Sequence, residues 1–210
     1  AKELLRVLAP LKIRWVTQMS INAAHDEEFL DLLGHSGCVG TLIGLESLDE
    51  ANLRAMNKRF NTMRGGYVQA MDNLRRHRIR VYATFIFGYE HDTVESFDRA
   101  VEFAQEQNFY IAAFNHLTPF PGTPLYARLE VQGRLRFKHW WLDEGYRYND
   151  VPFMPGRLAP EEVTRLCVDA RRRFYSWRSI LKRGLARPNC SDPFMFRNFF
   201  PINLLHRAEV

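Results

Sequence analysis

The sequence predicts an α/β protein organised around a parallel sheet, on three observations. Four short apolar runs read as strands buried by neighbours on both faces. The segments between them repeat their apolar residues at helical spacing. Polar residues collect just after the runs, where parallel α/β folds bind ligands. The chain has 210 residues, of which 46% are hydrophobic and 25% charged. That composition excludes a disordered tail, a collagen and a coiled coil.

Ile13 to Ser20 forms the first run. Asp26 is placed to cap the next helix, with Glu27 and Glu28 in its first turn and Phe29, Leu30 and Leu33 on one face. Gly34 and Gly37 supply its exit. The second run, CVGTLIGL from Cys38 to Leu45, ends in Glu46 and Ser47. Asp49 caps a short helix through Leu53 and Met56, and Tyr67, Ala70, Met71 and Leu74 mark another by their i, i+3, i+4, i+7 spacing. The third run spans Val81 to Gly88. Asp92 followed by Glu95 reads as a capping box for a helix striped by Phe97, Ala100, Val101 and Ala104. Tyr110 to Phe114 is the fourth run and leads into a proline-rich turn from Thr118 to Pro124.

Beyond Tyr126 the pattern changes. Residues 131–159 are aromatic and irregular, with Trp140, Trp141, Tyr146, Tyr148 and Phe153 among turn residues. Pro160 suits the first turn of a long helix, whose stripe of Val163, Leu166, Cys167, Ala170, Phe174, Trp177 and Leu181 continues for five turns. The tail from Pro188 to Leu205 is expected to pack on a surface that the rest provides. The expected division is 1–130 as part of a barrel and 131–210 as an aromatic segment with a helical extension. Strand-helix units of about 31 residues suit a β/α barrel, but four units cannot close one of eight.

The net charge of +5 lies wholly in the last quarter, where ten Lys/Arg stand against five Asp/Glu from Pro160 onward. Arg171, Arg172, Arg173, Arg178, Lys182, Arg183 and Arg187 carry it. Such a run is expected to be the solvated side of a helix, with phosphate contact as the rival reading. No run approaches the ~18 apolar residues of a membrane span, and no signal-peptide layout opens the chain, so a cytoplasmic location is expected. Cys38, Cys167 and Cys190 are too widely spaced for a disulfide framework or a metal cluster.

Glu46, ending an apolar run, can accept two ribose hydroxyls, and Ser47 can add a third hydrogen bond; the rival reading is an acid that starts the next helix. Gly88 allows a close approach of ligand or backbone. His116 could carry a proton but reads first as a structural histidine.

The strings IGLES (43–47), LRAMNKRF (53–60), FIFGYEHDTVESF (85–97) and LTPFPGTPLY (117–126) resemble the later half of the radical S-adenosylmethionine (SAM) barrel. FYSWRSILKR (174–183) is similar to the C-terminal helix of the subgroup that often carries an N-terminal cobalamin-binding domain. The resemblance covers roughly residues 11–183. It implies a six-stranded partial barrel, (β/α)6 and TIM-like, of which these are the last four units. It also implies SAM cleaved reductively by a [4Fe–4S] cluster to start radical chemistry, with cobalamin-dependent methyl transfer as one outcome. By motif position, Glu46 and Ser47 match the ribose-contacting pair and Lys58 a position that holds the methionine carboxylate. Ile86 and Gly88 match the adenine-facing motif GxIxGxxE, and Leu117 and Thr118 the last strand beside the adenine. Thr84 replaces that motif's first glycine and His91 its glutamate.

The family's CxxxCxxC does not occur here, nor does its glycine-rich motif after the second strand. Three thiolates are needed to leave one iron open to the cofactor. The expectation is therefore a C-terminal portion of a longer enzyme, inactive alone. Its partners are the first barrel half and a possible cobalamin-binding domain outside this chain, and its substrate is a small molecule or lipid. The alternative is a non-catalytic half-barrel that serves as a scaffold. An RNA-modifying role ranks last, because no aromatic platform adjoins the basic helix.

Overall fold

The computed structural model describes residues 1–56 and 66–210. Among these, one sheet of four parallel strands runs in sequence order: β1 (Trp15–Gln18), β2 (Cys38–Glu46), β3 (Arg80–Phe87) and β4 (Ile111–His116). Helix α1 (Lys2–Leu8) precedes β1, and α2 (Glu27–His35) joins β1 to β2. Helices α3 (Glu50–Ala55) and α4 (Gly66–Arg76) lie between β2 and β3, and α5 (Val94–Glu106) between β3 and β4. Each crossover returns to a parallel neighbour, which puts every strand's carboxyl end on one rim.

The strands alternate more than their apolar character suggests. Ile43, Leu45, Ala83, Phe85, Phe87, Ala112 and Phe114 are buried. Phe87 stacks on Phe97 of α5 at 3.9 Å, and Phe85 on Phe114 at 5.3 Å. The alternate positions are only partly covered, among them Leu42, Gly44 and Glu46 on β2 and Tyr82, Thr84 and Ile86 on β3. This second, inner face carries small and polar residues at its upper end, and there the strands are not buried on both sides.

The predicted caps of the early helices form. Asp26 accepts from the Phe29 N–H at 2.9 Å, and Asp49 from those of Ala51 and Asn52 at 2.9 and 3.0 Å. The predicted cap of α5 does not. Thr93 occupies that position, Ser96 Oγ accepts from its N–H at 3.1 Å, and Asp92 turns away into the interior.

The C-terminal part also departs from expectation. Helix α6 (Pro124–Val131) is capped by Thr123, and α7 (Pro160–Phe174) starts at its proline as predicted. The long stripe then breaks. Tyr175 is buried with its hydroxyl donating to Ala112 O at 2.9 Å, and Ser176 caps a separate helix, α8 (Trp177–Leu185). Seating Tyr175 on β4 turns the chain, so Trp177 and Leu181 face outward instead of continuing the core. The tail forms α9 (Pro193–Ala208), with Asp192 accepting from the Met195 N–H at 2.9 Å.

One cluster of buried apolar side chains extends from Leu5 through the sheet to Val151, Phe153, Val163, Leu166 and Phe174. A smaller one joins Tyr110 to Ile180, Met195 and Phe199. The basic run is not a uniform solvated face: Arg183 is fully buried, Arg171 donates to Phe114 O and Asn115 Oδ1, and Arg173 pairs with Asp98. Among the described residues, no helix is long and apolar enough to cross a membrane.

Candidate functional site

The end of β2 is shaped by a break in register. Gly44 pairs with Thr84 and Glu46 with Phe85, so Leu45 is bulged out of the ladder. Ser47 N–H closes back on Leu45 O at 2.8 Å, making a three-residue turn centred on Glu46 at φ +66°. A left-handed glutamate costs about 1–3 kcal/mol and persists only where its surroundings hold it. The Tyr67 hydroxyl of α4 is the brace, 2.9 Å from the carbonyls of both Leu45 and Ser47.

The bulge folds the Glu46 carboxylate back along the inner face. A Cβ on Gly44 would stand 2.3 Å from Glu46 Oε1 and 3.7 Å from Thr84 Oγ1. Glycine at position 44 therefore opens the space that the carboxylate fills. Ser47 is buried, and its Oγ accepts from the Asp49 N–H at 3.0 Å, which leaves its own proton to donate. Tyr89 lies close by. Burial, reinforced by the charges of Glu46 and Asp92, pushes its phenol up to about 12.

The end of β3 is fixed by a buried polar clamp. Asp92 Oδ2 accepts from the Gly88 and Tyr89 N–H groups at 2.8 and 2.9 Å. Asn52, on the element after β2, donates through Nδ2 to Asp92 Oδ1 at 2.8 Å and accepts the His91 N–H on Oδ1 at 3.2 Å. Burial raises the Asp92 carboxyl to about 6 despite these hydrogen bonds. Sequence pattern read Asp92 as a helix cap. The only signal of its real role was an aspartate beside a histidine at the motif's glutamate position.

Gly88 adopts φ +104°, and a Cβ there would meet Phe153 Cζ at 3.3 Å and Leu117 Cβ at 3.8 Å. The close approach at Gly88 is thus made from outside the sheet by Phe153, whose segment also sends Arg134 to Glu90. Ile86 lies on the inner face opposite Asn115. Leu117 N–H donates to Phe87 O at 2.7 Å. Thr118 follows it, half-buried, before Pro119, whose carbonyl accepts from Trp140 Nε1 at 2.9 Å. Lys58 lies outside the described residues. His116 is held below the ordinary histidine range by burial and then by Arg171.

The structure thus brings Glu46, Thr84 and Tyr89 together, and separately Gly88 with Leu117. Lower on the inner face, Val16, Leu42, Tyr82, Ile111, Met195 and Ile202 line an apolar cavity of about 370 Å³. Burial pushes the Cys38 and Cys167 thiols up to about 11 and about 12. Among the described residues, no three His, Cys, Asp or Glu side chains form a metal site.

No protein-family model matches the chain. It is 34% identical over 186 residues to the bacteriochlorophyllide d C-12(1)-methyltransferase of Chlorobaculum tepidum, covering 89% of this chain and 40% of that protein. Over those residues the chain is homologous to a curated methyltransferase. It is also 27% identical to the bacteriochlorophyllide d C-8(2)-methyltransferase of the same organism, over 89% of this chain and 41% of the relative. The hopanoid C-2 methylase of Rhodopseudomonas palustris is 26% identical over 82% of this chain and 31% of its own length. The chain therefore spans about two fifths or less of these curated relatives. Its α/β fold is similar to that of the radical SAM methyltransferase TsrM from Kitasatospora setae, solved with cobalamin and a [4Fe–4S] cluster bound. The TM-score is 0.52 at 20% identity, covering 82% of this chain and 32% of TsrM.

Proposed function

We propose that this chain belongs to the radical SAM family and is the later half of a partial (β/α)6 barrel, 1–130, with its extension, 131–210. In this reading it holds the nucleoside end of SAM in a methyltransferase. The observation that carries the proposal is the Glu46 carboxylate, set by a bulge and a left-handed turn onto the inner face above Gly44. Two carboxylate oxygens suit the vicinal hydroxyls of a ribose, and Ser47 retains a proton to donate. Ile86, Gly88, Leu117 and Thr118 would line the adenine, and Lys58 would meet the methionine carboxylate. The aromatic group of Phe120, Trp140, Trp141 and Tyr146 would wall the substrate on the same rim.

The residues present suit the nucleoside and do not suit the cluster. Two of the three cysteines are buried with raised thiols, and the three do not converge. The cluster ligands, and any cobalamin site, are assigned to segments beyond these 210 residues. When bound, a [4Fe–4S] cluster supplies the electron that cleaves SAM. The part of this chain would be to grip the ribose, pack the adenine and shape one wall of the chamber.

Equilibrium binding of SAM to the enzyme containing these residues tests this reading. Glu46→Gln is expected to weaken binding about tenfold or more, since a charge-assisted bond to a buried site is lost. Unchanged affinity would refute the assignment. Anaerobic reconstitution of the 210-residue chain alone is expected to yield little iron, and three or four irons per chain would overturn the assignment of the cluster ligands.

A further inference from the structure

Helix α8 carries a feature that SAM chemistry does not use. Trp177, Leu181 and Leu185 stand in line at i, i+4 and i+8, exposed by 56%, 52% and 67%. Arg178 and Lys182 lie one residue further round the helix and are also exposed. The opposite face is fixed inward. Ile180 is buried, Arg183 is buried among five hydrogen bonds, and a Cβ on Gly184 would stand 2.8 Å from the Phe200 ring. The helix cannot roll to bury its apolar stripe without breaking that anchor, so the fold holds the stripe outward.

The charge along α8 itself is of one sign. From Ala170 to Ser191 there are seven Lys/Arg and no Asp or Glu, and α9 adds no acid along its length. Of the seven, Arg183 is buried, Arg171 is tied to β4, and Arg172 and Arg173 pair with Asp169 and Asp98, which leaves Arg178, Lys182 and Arg187 as the exposed cations beside the stripe. An aromatic residue and two leucines flanked by cations match the chemistry of the bilayer interface. There Trp sits at headgroup depth, leucine enters the acyl boundary, and Arg and Lys reach back to anionic headgroups. At nine residues α8 is about 13 Å long, which suits lying in the interface plane and not crossing it.

We propose that the outer face of α8 is a docking surface for an anionic lipid bilayer. Charge complementarity selects that occupant over a neutral apolar partner, and the inference does not rest on the nucleotide-binding reading above. Each cation near such a surface contributes roughly fivefold in affinity, and the contribution is screened by salt.

Co-sedimentation of the full chain with vesicles tests it. The probes are 1:1 phosphatidylglycerol:phosphatidylcholine and phosphatidylcholine alone. Binding is expected to the anionic vesicles, at least tenfold weaker to the neutral ones, and reduced in 0.5 M NaCl. Leu181→Ser with Leu185→Ser is expected to lower binding tenfold or more at an unchanged unfolding midpoint, because both side chains are already exposed. Trp177→Phe is expected to abolish the vesicle-induced blue shift of tryptophan emission. No binding to anionic vesicles, equal binding by the double variant, or a dimer in solution that this variant dissociates would each overturn the proposal.

Discussion

Asn52 and Asp92, forty positions apart, face each other in the interior and join helix α3, after β2, to the loop after β3. The pair is directional: Asn52 Nδ2 donates to one Asp92 oxygen while the other accepts two backbone N–H groups. Asp92→Asn alone sets two amide donors against each other, and Asn52→Asp alone sets two carboxylates together. Each is expected to cost about 1–3 kcal/mol. Combining Asn52→Asp with Asp92→Asn restores every hydrogen bond. The amide introduced on the β3 side donates to the carboxylate introduced on the β2 side, which still accepts from His91 N–H. A urea-unfolding cycle is expected to show the double variant more stable than either single one, with a coupling of about 1–3 kcal/mol. Additive losses would show that α3 and the loop after β3 are not joined through this pair.

The same carboxyl predicts a pH dependence. Its folded value, about 6, lies above the ordinary 3.8, so between these values the native state holds the proton that the unfolded chain releases. Stability from this group is fully present below about pH 4 and falls as pH rises towards 6, by about 3 kcal/mol. His116, held low by burial and Arg171, works in the opposite sense, losing stability as pH falls below its unfolded value. Comparing wild type with Asp92→Asn cancels the histidine. The stability difference between them is expected to move against the wild type from pH 4 to 6 and then level off. A flat difference across that range would mean that Asp92 is ionised throughout.

Gly44 and Glu46 separate stability from binding. Gly44→Ala places its Cβ 2.3 Å from Glu46 Oε1, the far end of a flexible side chain. The carboxylate can swing away, so unfolding is expected to shift by less than about 1 kcal/mol, while SAM binding falls about tenfold. Glu46→Asn removes the carboxylate and places at φ +66° a residue that tolerates it. Its expected signature is stability equal to wild type or up to about 1 kcal/mol higher, with binding lost. Parallel loss of stability and binding in both variants would make Glu46 a structural residue.

The legible parts of the sequence were those written in local pattern. Asp26 and Asp49 cap as expected because a cap needs only its own helix, and the four strands follow from apolar runs. Glu46 was singled out by position alone. Its left-handed turn was not legible, because the bulge at Leu45 exists only relative to β3. Asp92 misled because a buried loop clamp and a helix cap share the same string. The break at Tyr175 arises from a hydroxyl seated on β4, a contact 63 residues away. Lys58 lies outside the described residues, so its part in the site stays with the resemblance.

Arg183 is the last case, since its sequence context gave only charge. Its guanidinium is fully buried, 3.8 Å from the Phe174 ring centroid, and has no ion pair among the described residues. Nε donates to Ser179 Oγ, one terminal nitrogen to the carbonyls of Phe109 and Tyr110, and the other to Phe174 O and Asn203 Oδ1. All five donors are thereby used, tying α7, α8 and α9 to the start of β4. Desolvation lowers its pKa to about 9, still leaving it charged at neutral pH. Arg183→Ala removes the donors to five buried acceptors and is expected to cost about 3 kcal/mol or more. Arg183→Lys keeps a charge but lacks the planar fork, and should recover only part of that. Urea unfolding measures the cost, and trypsin cleavage within residues 177–208 reports release of the α8–α9 pair. A loss below about 1 kcal/mol with no new cleavage would show that apolar contacts alone hold these helices on the sheet.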